Sequence, residues 1–264
     1  MDWDLPAIIL NTRPYGEGDL IVTLMTAEHG AHRGLAKGGA SRAQGGLWQA
    51  GNFVQARWLA RISDQLGTFR GELIHATAAS VMDDPLALAM LSAVCAQSED
   101  ALPAREPHEA VFAGLIGLLP RLTLGEAALP ELIQWELILL SDLGYGLDLS
   151  QCAVTGATEG LAFISPKTGR AVTAEGAGVW SSRLLSLPPF LIGGTDRGPE
   201  DWCDGLRLTG HFLARDVFGA RHRPLPMARQ MLYDRVVALA AESLPAGWTA
   251  DSPPDEADTE GHDS

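Results

Sequence analysis

Cysteine is scarce in this 264-residue chain: Cys95, Cys152 and Cys203 are widely spaced and odd in number. They make no disulfide framework, and that usage favours a reducing compartment. Long apolar runs are missing too; none reaches about 18 residues, so no membrane span is expected. The start, MDWDLP, is acidic and lacks the basic region of a secretory signal. Enzyme signatures fail: there is no G-x-x-x-x-G-K-[ST], no G-x-S-x-G, no H-E-x-x-H and no strand-led G-x-G-x-x-G. Metal-ligand spacing fails as well. Cys152 has Thr155 where a knuckle would have its second cysteine, and His29 and His32 lie on a turn without a carboxylate or cysteine set, whereas a structural zinc needs about four Cys/His ligands. The reading is therefore of a protein that is not an enzyme and holds no metal.

The most informative shortage is local. From His29 to Ser63 there is no Asp or Glu, while Arg33, Lys37, Arg42, Arg57 and Arg61 all fall inside. The whole chain is acidic, with formal net charge −14, but the halves differ. Residues 1–80 carry seven Lys/Arg against seven Asp/Glu; residues 81–264 carry twelve against twenty-six. Six of those acids lie in the last fourteen residues, which have no large apolar side chain, so 246–264 reads as a disordered acidic tail suited to compete for a basic face. With 46% hydrophobic and 20% charged residues there is enough apolar mass for a core, and the length makes two domains the natural division.

Residues 1–80 read as β-rich. Runs at 5–11, 20–26, 32–37, 52–62 and 65–75 are separated by glycine-bearing turns, which suggests a small closed barrel. In the fourth run Val54, Ala56 and Trp58 point one way and Phe53, Gln55, Arg57 and Leu59 the other, so Trp58 belongs to the core and Arg57 shares a face with Arg61. Residues 81–245 read as helical. Asp83-Asp84-Pro85, Pro107-His108-Glu109 and Pro130-Glu131 are helix starts, and Gly144 with Gly146 ends the third. Helices over 199–217 and 226–239 close the domain, after an irregular, Gly- and Ser-rich stretch over 148–195. The fold class is α+β.

Two basic features remain. The five cations of the acid-free window, with Tyr15, Trp48, Phe53 or Trp58 as stacking partners, suit a nucleic-acid backbone; the same pattern also describes a solvated strand face over core aromatics. Arg221-His222-Arg223, with Arg229 beyond, could extend such a track, receive an acidic peptide, or be an ordinary interhelical loop.

Arg13-Pro14-Tyr15-Gly16-Glu17-Gly18-Asp19, then Glu28-His29-Gly30, then Leu35-Ala36-Lys37-Gly38, resembles the N-terminal signature of the bacterial RecO family, in its α-proteobacterial form. Glu136 to Leu149 followed by Cys152, then Phe163-Ile164-Ser165-Pro166 and Gly169, resembles the family's central helix and zinc-ribbon-like segment. The resemblance implies an N-terminal OB-fold, a helical C-terminal domain with a zinc-ribbon-like segment at about 150–178, and work as a recombination mediator of the RecF pathway in the cytoplasm, at the nucleoid. It implies binding of single- and double-stranded DNA, annealing of complementary strands, partnership with RecR and the acidic tail of single-strand-binding protein, and help, indirectly, to RecA. Members with zinc carry C-x₂-C twice; here the four positions are Cys152, Thr155, Thr173 and Gly176, so no zinc is expected. The cationic set for DNA is Arg33, Lys37, Arg42, Arg57 and Arg61; Arg121, Arg207, Arg215 and Arg223 are candidates for an acidic partner tail. The alternative is a protein-only OB-fold adaptor for RecR and single-strand-binding protein that touches DNA hardly at all.

Overall fold

A computed structural model describes residues 2–62 and 65–243. The acidic tail expected over 246–264 lies outside the described residues. Five strands come first: β1 (Asp2–Tyr15), β2 (Asp19–Thr26), β3 (Gly30–Ala36), β4 (Phe53–Leu59) and β5 (Thr68–His75). They close in the order β1-β2-β3-β5-β4, antiparallel except where β3 meets β5 in parallel at Leu35 and Ala36. This is the OB-fold barrel. Alternation decides what fills it: Ala7, Ile9, Val22, Leu24, Ala36, Val54, Ala56, Trp58 and Phe69 point inward and are buried.

The opposite parity builds the contact with the helical half. Ile8, Leu10 and Met25 point outward from β1 and β2 and join the larger core of the helices. Two glycines allow that approach. At the β2–β3 turn Gly30 has φ +57, and a Cβ there would lie 1.8 Å from the Glu106 carbonyl oxygen; at Gly51, φ +88, it would meet Leu91 at 2.4 Å.

The helical half runs α1 (Thr77–Val81), α2 (Pro85–Ala101), α3 (Glu109–Leu118) and α4 (Leu129–Asp142), with a 3₁₀ segment over Leu119–Ala128. α2 begins as its sequence dictates: the Asp84 carboxylate accepts from the N–H groups of Leu86 and Ala87, with Pro85 in the first turn. Glu109–Asp142 is long and apolar enough to cross a bilayer. It is nevertheless divided at Gly125 (φ 62, ψ −132), and Leu132, Ile133, Trp135, Leu139 and Leu140 of α4 are buried in the core, so it serves as the centre of the helical half.

A small sheet follows, β6 (Leu161–Ile164), β7 (Ala171–Thr173) and β8 (Leu185–Ser186), in the order β7-β6-β8, with the one-turn α5 (Ala174–Ala177) between β7 and β8. The stretch expected to be irregular thus carries short antiparallel strands. α6 (Pro199–Phe212), continued by a π-turn over Leu213–Phe218, and α7 (Met227–Ser243) complete the half. α7 is pinned by Arg229, which is buried against the Glu136 carboxylate of α4 and donates to the Leu206 carbonyl (2.8 Å) of α6. Its second nitrogen also reaches Glu136 at 3.0 Å.

Candidate nucleic-acid interface

The outer faces of β1, β4 and β5 form one wall of a groove of about 690 Å³; the turn-rich loop after Lys37 forms the other. Lys37, Arg57 and Arg70 line it, together with Gln44, Gln55 and the carboxylates of Asp4 and Glu72. β-Pairing sets this arrangement. Arg57 sits across from Asp4 on one side and Arg70 on the other, and Gln55 sits across from Glu72. Arg57 is exposed and lies 3.4 Å from Asp2, while Gln55 donates to Asp4 (2.6 Å). Three cations on a concave, hydrogen-bonding surface can hold successive phosphates of a strand.

The loop is not an open flap. Trp48 is buried against Gly71, where an added Cβ would be 3.0 Å from its ring, and the Asn52 side chain donates to the carbonyls of Gly46 and Leu47. Trp48 therefore plugs the barrel wall and offers no stacking face. Phe53 is half-buried against the helical core and Trp58 is buried, as its parity implies; of the four aromatics only Tyr15 is exposed.

The five expected cations do not form one surface. Lys37 and Arg57 share the groove. Arg42 stands exposed on the loop. Arg61 lies beyond the end of β4, near Asp2 and Thr68, so strand alternation does not place it beside Arg57. Arg33 projects from β3 on the other side of the barrel, where Glu99 of α2 lies 3.7 Å away. A carboxylate distant in sequence thus supplies what the acid-free window lacked. Arg70 was missed because it lies outside that window; the pairing of the fourth and fifth strands was the signal that could have found it.

The four arginines considered for a partner tail also separate. Arg121 pairs with Glu131, Arg215 with Asp216 (2.7 Å) and Arg223 with Asp100 (2.7 Å). Arg207, held by Asp204 (3.0 Å) and the Tyr233 hydroxyl (3.3 Å), is the member of the four that edges a groove of about 330 Å³ between α6 and α7, lined by Leu206, Leu225 and Tyr233 and by the polar Gln230 and Asp234.

In the zinc-ribbon-like segment the positions matching a metal knuckle do converge. Cys152 Sγ is buried, 3.5 Å from Thr173 Oγ1, and receives the N–H groups of Val154, Thr155 and Thr173 at 3.3–3.4 Å. Gly176 is close enough that a Cβ would be 3.2 Å from the sulfur. Burial pushes the thiol up, but the donors from Thr155 and Thr173 outweigh it and bring it down to about 6. One sulfur among two hydroxyl residues and a glycine does not fit zinc, and N–H···S bonds occupy the place of metal bonds. Cys95 and Cys203 are buried helix residues, and burial raises both thiols.

Comparison with known proteins agrees with this architecture. Residues 1–77 match the family model "Recombination protein O N terminal", and residues 82–225 match "Recombination protein O C terminal". The DNA repair protein RecO of Granulibacter bethesdensis is 56% identical over 242 residues, covering 90% of this chain and 97% of that one. Those of Gluconacetobacter diazotrophicus (51%, covering 92% and 98%) and Acidiphilium cryptum (53%, covering 89% and 96%) are similar over the same extent. The two matched regions meet where the barrel ends and the helices begin, and the chain belongs to the RecO family, whose role is in DNA repair by recombination.

Proposed function

We propose that the chain is a non-catalytic recombination mediator that holds single-stranded DNA in the groove of Lys37, Arg57 and Arg70, anneals complementary strands, and helps RecA replace single-strand-binding protein in concert with RecR. The observation that carries this reading is the convergence of those three cations on one concave OB-fold face within an otherwise acidic chain. Annealing asks for no bond chemistry; it needs two strands held close with their repulsion screened. The triple variant Lys37→Gln, Arg57→Gln, Arg70→Gln should bind a labelled oligonucleotide about tenfold more weakly, and the slope of log affinity against log salt should fall by about 2, near 0.7 per lost phosphate contact. Equal affinity and slope in a folded triple variant would remove the groove from the reading.

The groove between α6 and α7, edged by Arg207, supports docking of the acidic tail of single-strand-binding protein, which needs an apolar seat beside a guanidinium. The net charge and the carboxylates near Arg33 and Arg57 favour a second reading, a protein-only adaptor. A gel shift separates the two. A mediator shifts bare oligonucleotide. An adaptor shifts only oligonucleotide coated with single-strand-binding protein, and loses that shift in Arg207→Ala.

A further inference from the structure

A second gathering of arginines surrounds the last turn of α2, where Glu99 and Asp100 are neighbours. From the barrel, Arg13 of β1 and Arg33 of β3 reach toward Glu99. From the loop before α7, Arg221 donates to the Asp100 carbonyl (3.2 Å) and Arg223 to its carboxylate (2.7 Å). Four guanidiniums therefore stand around two adjacent acidic residues, while Glu106 and Asp142 line a cleft together with Arg221.

The pairing at Glu99 leaves the arginine donors unused. Its Oε2 accepts from Asn11 Nδ2 (2.7 Å) and its Oε1 from Thr23 Oγ1 (3.1 Å). Arg13 and Arg33 stand 3.6 and 3.7 Å from Oε1, outside hydrogen-bond length. Their side chains are 67% and 60% exposed. Glu99 thus attracts Nη2 of each guanidinium while most of both side chains stays open to solvent. Position around the barrel matters equally. Arg33 is across from Thr23 of β2, and Arg13 is across from Ile21 of β2. In the closed order β1-β2-β3-β5-β4, β2 is opposite the β4–β5 pair, which with the Asp4 end of β1 and the loop after Lys37 forms the groove.

We propose that this arginine ridge is a second binding surface for a phosphodiester backbone, one that takes a strand separate from the strand in the β4–β5 groove. Forked guanidiniums match phosphate oxygens in pairs, and a ridge made of arginine alone suits phosphate better than it suits a dispersed point charge. Two strands on opposite sides of one small barrel are screened from each other and yet close, the condition annealing requires. The inference rests on the reading that the chain holds DNA directly.

The experiment uses the full chain and a thymidine oligonucleotide too short to reach round the barrel, with stoichiometry read by native mass spectrometry at low salt. The wild type should take two copies. The ridge variant Arg13→Gln, Arg33→Gln, Arg221→Gln, Arg223→Gln should take one and anneal complementary strands about tenfold more slowly, in line with the loss of several phosphate contacts. Glu99→Gln should tighten the second binding event by about threefold, a gain that damage to the fold does not produce. One copy on the wild type, two on a ridge variant of unchanged melting temperature, or displacement of the second copy by a polyglutamate peptide more readily than by free oligonucleotide would overturn the ridge. Should the groove variant alone still take two, the groove assignment is what fails; no binding at all to the wild type overturns both.

Discussion

Arginine serves opposite ends in the two halves of this molecule. In the helical half Arg229 is 1% exposed and its nitrogens are shared among Glu136, Thr209 and the Leu206 carbonyl. In the barrel Arg57 is 52% exposed and its partner Asp2 stands 3.4 Å off, itself 59% exposed. A buried guanidinium must have its charge and N–H groups matched inside, so it locks elements together. An exposed one keeps donors for a ligand and stabilises little. Removing each should expose the contrast. Arg229→Met leaves Glu136 buried and uncompensated and should cost about 3–5 kcal/mol, seen as a lower urea midpoint. Arg57→Met should shift stability by less than about 1 kcal/mol. Equal losses would mean that the barrel arginine is structural too.

How much of this the sequence carries depends on the range of the interaction. The Asp84-Pro85 helix start, the alternation along Phe53–Leu59 and the buried α4 depend on near neighbours and are legible. So is the identity of the four knuckle positions, since Thr155, Thr173 and Gly176 do surround Cys152. What escaped depends on partners far along the chain. Arg33 read as a charge with no nearby carboxylate because Glu99 enters from α2. Arg229 read as part of a basic run, yet its partner lies 93 positions away. Trp48 read as a platform because nothing local says that the loop turns it inward. Charge counted in a window measures only local compensation, and in a closed barrel packed on helices most compensation is non-local.

Histidine extends the comparison. His108, buried in the helical half, has Nδ1 against the Asp142 carboxylate. His32, buried in the barrel among Trp3, Trp58 and Phe69, has neither ring nitrogen hydrogen-bonded. Burial, then Arg105 and His29, push it down to about 4. The unfolded chain takes that proton near 6.5. Between these values the unfolded state binds more protons, so this contribution is complete above about pH 6.5 and is lost as pH falls through about 4. The loss is of the order of 2–3 kcal/mol. Chemical denaturation at pH 7 and pH 4.5 should show it in the wild type, and His32→Phe should flatten that part of the slope. A His32→Phe variant with the wild-type slope would assign the acid sensitivity elsewhere.

The smallest effect tests the barrel's side most directly. Asp2, across from Leu59 in the β1–β4 pair, reaches Arg57 diagonally at 3.4 Å, and both are about half exposed, so their attraction is worth about 0–1 kcal/mol and its removal should hardly move the melting temperature. Its effect on an incoming strand is of the same size but is read against a different reference. Asp2→Asn removes a negative charge beside a phosphate-binding guanidinium, so affinity for single-stranded DNA should rise about twofold at low salt, and the gain should fade as the Debye length shrinks. The opposite sign would also have a physical meaning. If affinity falls, Asp2 acts as an orienting anchor for Arg57 whose ordering outweighs its repulsion, the reverse of the balance expected at Glu99, where removing the charge should tighten binding.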